Sequence, residues 1–185
     1  MSCEKNAAAE CASACGNQYE TVNIRKPAGV CQLCEDFSQR QSAKPVAVMC
    51  CEGSCLRGEI ARQASNILCH SLLPERTVRV CLGGAFTKNT GQRALVRNAP
   101  LVVAMEGCFL KCATRMMQGV LEGLEPDVII ADSLIDFDRN LFSADEMPEV
   151  EIMGHALSIA ERMAAKLGGL RPAAAPAESG CACTG

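Results

Sequence analysis

From Lys44 onward the chain alternates short, mostly apolar runs with longer segments whose apolar residues recur every three or four positions. The runs are PVAVMC (45–50), TVRVC (77–81), PLVVAMEGC (100–108) and PDVIIAD (126–132). They read as short strands, and PVAVMC has the composition of a central parallel strand covered on both faces. Between the first two, Ile60, Ala64, Ile67, Leu68 and Leu72 give an amphipathic helix over 56–72, ended by Pro74. A second helix is predicted over 89–98. A third covers 109–123, with Leu110, Ala113, Met117, Val120 and Leu121 on its apolar side. Ser143-Ala-Asp-Glu146 fits a capping box opening a last helix that runs to Leu167, before two glycines. Strands alternating with helices predict an α/β three-layer sandwich around a mainly parallel sheet of about four strands.

The pattern divides the chain into three parts. Residues 1–43 are polar, carry five cysteines and show no sustained apolar period, so they read as a Cys-rich appendage. Residues 44–170 form the α/β domain. Residues 171–185 combine a Pro/Ala-rich linker with a CACTG ending, the composition of a flexible tail.

Composition changes this picture through one residue type. Fourteen of the 185 residues are cysteine. The N-terminal sequence shows no basic segment followed by an apolar stretch, which predicts a cytoplasmic protein with reduced thiols rather than a disulfide scaffold. No apolar run approaches the roughly 20 residues that span a bilayer. Eighteen basic residues against twenty-one acidic, without a basic stripe, argue against nucleic acid as a partner. No protein partner is indicated.

The cysteines fall where chemistry collects in parallel sheets, beyond the carboxyl ends of the strands. Cys51, Cys81 and Cys108 follow three successive predicted strands, and Cys112 stands one helical turn past Cys108 at the positive end of a helix. Four thiolates converging there would suit a tetrahedral metal, with Cys55 a possible fifth ligand or resolving thiol. Cys11, Cys15, Cys31 and Cys34 have the spacing C-x3-C-x15-C-x2-C, which fits a separate zinc knuckle. Cys181 and Cys183 form a C-x-C suited to soft metals.

The segments CEGSCLRGEIARQA, CLGG and AMEGCFLKCATRMM, in this order, resemble the DGC-domain family, whose members are regarded as zinc-binding. The resemblance spans roughly 45–135 and implies that Cys51, Cys81, Cys108 and Cys112 match the family cysteines. Glu106 stands where the family motif has Asp, keeping a carboxylate beside the site. The expectation is a cysteine-thiolate protein holding Zn2+ at the strand ends. Two alternatives stay open: an iron-sulfur redox protein or enzyme on the same thiolates, and a thiol carrier of sulfur, selenium or soft metal.

No motif names a catalytic residue, and no reaction is assigned. His70 and His155 lack partners at ligand spacing. Cys69 reads as a core residue on its helix, and Met116 and Met117 as core packing. Asp132, Asp136 and Asp138 read as a solvated turn cluster.

Overall fold

In the computed structural model, residues 22–169 are described. Cys11, Cys15, Cys181, Cys183 and the linker before the last two lie outside them. Four strands form one parallel sheet: β1 (Val46–Cys50), β2 (Thr77–Arg79), β3 (Leu101–Glu106) and β4 (Asp127–Ile130). Their spatial order is β2-β1-β3-β4. The α/β sandwich expected from the pattern is the observed fold.

Because side chains alternate across a strand, each central strand feeds two cores. Val46, Val48 and Cys50 of β1 and Val103 and Met105 of β3 point to one face. That face is covered by α2 (Leu56–Ile67) and α6 (Glu149–Gly168), which pack on each other. Ala47 and Met49 of β1 and Val102 and Ala104 of β3 point to the other face. There they meet α3 (Leu82–Phe86), α4 (Gly91–Asn98) and α5 (Cys112–Gln118). All five residues of β1 are buried, as a strand with helices on both sides must be.

Several elements depart from the pattern. The polar segment before the domain contains a helix, α1 (Gln32–Gln41), which packs on α4. Both carboxylate oxygens of Glu35 accept the Gly91 N–H at 2.9 Å, and Phe37 packs against the second core. Few apolar residues mark α1 because its attachment is a carboxylate at another helix's start.

The capping box at Ser143 exists, with Glu146 reaching back to the Ser143 N–H at 3.0 Å, but it caps only a 3-10 turn, Ala144–Glu146. Pro148 holds Met147 extended (φ −126°, ψ 137°), since a residue before proline is pushed out of the helical region. The long helix therefore starts at Glu149. The helix expected over 109–123 is shorter: Lys111 adopts a left-handed conformation (φ 49°), and α5 begins only at Cys112. Leu110 is consequently half-exposed. Met117 is fully buried as expected, whereas Met116 faces outward. The Gly-rich stretch after Cys81 forms the short helix α3, and the end of the helix over 56–72 opens into a π-helical turn, Leu68–Leu72.

Glu35 ties α1 to the domain by satisfying the first amide of α4. Glu35→Ala should lower stability by about 1 kcal/mol, the usual cost of losing a helix cap. Chemical denaturation checks this, and Glu35→Gln should recover part of the loss because its amide oxygen can still accept.

Candidate functional site

The strand order places a topological switch between β1 and β3. The chain leaving β1 enters α2 on one face of the sheet, and the chain leaving β3 enters α5 on the opposite face. The two connections part at the carboxyl ends of adjacent strands and leave a crevice between them, the usual ligand position in open α/β sheets. The first connection carries Cys51 and Cys55, and the second carries Cys108 and Cys112.

Close backbone packing shapes this crevice. A Cβ on Gly107 would lie 2.8 Å from Arg57 C and from Gly58 N. One on Gly58 would lie 2.6 Å from Gly53 O and 3.2 Å from the Cys51 sulfur. Both positions need glycine so that the β1 loop, the β3 loop and the first turn of α2 can touch. The Cys51 N–H donates to Met105 O at 2.9 Å, continuing the β1–β3 pairing one residue past the strand.

The Cys51 sulfur accepts the Gly53 N–H at 3.4 Å. Burial pushes its thiol up. Backbone donors at Gly53 and Gly107 oppose that, while the Cys112 and Cys55 thiols beside it push it further up. These neighbours bring Cys51, Cys55 and Cys112 together. Cys55 is the N-cap of α2, bridged to Ser143 across the loop before α6.

Cys112 is set by Glu106. This carboxylate, fully buried at the end of β3, accepts the Thr114 N–H at 2.6 Å, the Thr114 hydroxyl at 2.7 Å and the Ala113 N–H at 3.3 Å. It holds the free amides of the first turn of α5, so the helix carrying Cys112 is pinned to the strand beside Cys51. The sequence marked the carboxylate next to the cysteines; its role as a helix anchor depends on Thr114 and on the left-handed Lys111, which no spacing reveals.

Cys81 is the exposed N-cap of α3, its sulfur accepting the Gly84 N–H at 3.4 Å. The helix it opens packs on α5, which carries Cys112, and Cys81 is among the neighbours that push the Cys34 thiol up. Cys31 is the N-cap of α1, and Cys34 lies in its first turn. Cys34 thus lies near Cys81. Among the described residues, no group of three or more His, Cys, Asp or Glu side chains is arranged to hold a metal ion.

Among the described residues, Cys50 and Cys69 belong to the core. Cys50 receives the Arg79 guanidinium at 2.7 Å, and Arg79 also pairs with Glu52. Burial nevertheless pushes the Cys50 thiol up to about 12. Cys69 is buried, as its helix position predicts, and burial pushes it up to about 11. Asp132 is not a free solvated acid: it pairs with Arg57 at 3.1 Å and with Arg139. Arg57 also donates to Leu141 O and Arg139 O at 3.0 Å and lies over the Phe137 ring. These contacts fasten the 131–143 loop to the start of α2. His155 packs against Phe137, and His70 is exposed.

The fold is a parallel α/β domain with Cys51, Cys81, Cys108 and Cys112 beyond the carboxyl ends of its strands, the rim of the sheet. The family model of the DGC domain matches residues 47–152, and the chain belongs to the DGC-domain family. The match runs from β1 into α6 and includes all the rim cysteines. No curated protein and no solved structure matches the chain.

Two outcomes follow from these environments. Glu106→Ala leaves the Ala113 and Thr114 amides without their acceptor and should cost about 1–3 kcal/mol, measured by denaturation. In addition, Cys50 and Cys69 keep their protons in the folded state above the ordinary thiol value of 9.0, where the unfolded chain has released them. Stability should therefore fall as pH rises from about 9 towards 11 or 12. In Cys50→Ala the slope should be shallower.

Proposed function

We propose that this chain is a cysteine-thiolate metal-binding protein whose rim site takes Zn2+ through Cys51, Cys81, Cys108 and Cys112, with Cys55 adjacent. The observation that supports this reading is the switch-point geometry, which starts the connection bearing Cys51 and the connection bearing Cys108 and Cys112 side by side, with Cys81 after the neighbouring strand β2. The donor set fits the metal. It is all sulfur and offers soft thiolates. The Gly53 N–H is directed at the Cys51 sulfur and partly opposes the effect of burial there. A closed site of four thiolates would supply structural or storage chemistry rather than an open catalytic position.

Substituting each rim cysteine with serine tests the assignment. Protein purified without air should hold about one metal ion per chain. Cys51→Ser, Cys81→Ser, Cys108→Ser and Cys112→Ser should each lower that content several-fold, read by elemental analysis, with smaller loss in Cys55→Ser. Full metal in all four variants would overturn the rim assignment.

A further inference from the structure

The pair at the start of α1 has a geometry that the rim reading does not use. Cys31 is exposed at the N-cap position of a ten-residue helix; Cys34 follows in the first turn, half-buried, and its nearness lowers the Cys31 thiol. The helix is fixed on the domain. Glu35 is held by Gly91, and a Cβ on Gly91 would come within 2.5 Å of the Ser38 Cβ, so α1 and α4 meet without a gap. Glu35 is the one carboxylate beside the pair within the first turn, and it is engaged with Gly91. Two apolar side chains stand exposed beside the pair: Val30 is 62% and Leu33 79% exposed, immediately before Cys31 and between the two thiols. An exposed sulfur, a partly shielded sulfur near it, a rigid support and exposed apolar side chains are what a substrate disulfide needs for approach and exchange.

We propose that Cys31 and Cys34 form a redox-active dithiol that reduces disulfides, with exposed Cys31 as the attacking sulfur and Cys34 as the resolving one. The Cys31 thiolate attacks one sulfur of the substrate disulfide. The substrate S–S bond breaks, a Cys31–substrate disulfide forms, and the first substrate thiolate leaves and takes a proton. Cys34, giving up its own proton, attacks the Cys31 sulfur. A Cys31–Cys34 bond forms, and the second substrate thiolate departs and is protonated. Two electrons pass from the protein dithiol to the substrate, and two thiols are released. The activity does not depend on a metal at the rim. Cys81, although close to Cys34, stays outside the exchanging pair.

Trypsin isolates the pair, because the segment from Lys26 to Arg40 contains no other cysteine. The full-length, metal-loaded protein is mixed with oxidised glutathione in one arm and with insulin, as a protein disulfide, in the other. Mass mapping should find this segment closed into an internal disulfide in at least one arm, and the faster arm identifies the substrate size. Cys34→Ser should trap the mixed disulfide on Cys31. Cys31→Ser should react about tenfold more slowly or worse. Rim-metal content should stay unchanged in both variants. Four results would overturn the proposal: a segment that stays reduced in both arms, a Cys34–Cys81 disulfide in its place, equal reactivity of the two variants, or reactivity that appears only after chelation of bound zinc. The last would make the pair metal ligands.

Discussion

The close approach of three backbones at the switch point is the constraint on which the site depends. Gly107 after β3 stands against the first turn of α2, and Gly58 in that turn stands against Gly53 of the β1 loop, so closely that neither tolerates a Cβ. That contact lets the connection leaving β1 and the connection leaving β3 start side by side before parting to opposite faces. Without it, the sheet could form with the same strand order while the thiols of Cys51 and Cys112 stood apart. Arg57 reinforces the contact from outside by fastening the 131–143 loop through Asp132 and two carbonyls.

Around this contact the protein sorts its cysteines by environment. Cys50 and Cys69 lie in dry surroundings, where the neutral thiol is favoured and the sulfur acts as a small apolar group. Cys51 and Cys81 have a backbone N–H directed at the sulfur, and Cys81 and Cys112 stand at helix starts. The adjacent residues Cys50 and Cys51 show the division most plainly. One position along the strand separates a sulfur locked under Arg79 from one that opens into the crevice. Glu106 adds a further layer: a fully buried carboxylate is expensive unless its oxygens are occupied, and here the amides that a helix start leaves free occupy them.

Much of the fold was legible because buried parallel strands and amphipathic helices write strong patterns. β1, β3 and α2 lie where the apolar runs put them. α1 was missed because one ion-to-amide contact and a single Phe37 hold it, a signal too sparse for periodicity. The late start of α6 was readable in principle from Pro148, but the Ser143–Glu146 capping box competed with it, and the structure keeps both as a capped turn followed by a separate helix. At the site, strand-end positions drew attention to Cys51, Cys81, Cys108 and Cys112. The nearness of Cys34 to Cys81 was not legible, since it depends on α1 docking against α4 across more than fifty residues of sequence.

Zinc-edge X-ray absorption on protein purified without air tests the central claim most directly. The account predicts a coordination shell of four sulfurs at about 2.3 Å, with sulfur lost from the shell in Cys112→Ser. A shell dominated by nitrogen or oxygen at about 2.0–2.1 Å, or an unaltered shell in Cys51→Ser and Cys112→Ser alike, would contradict it.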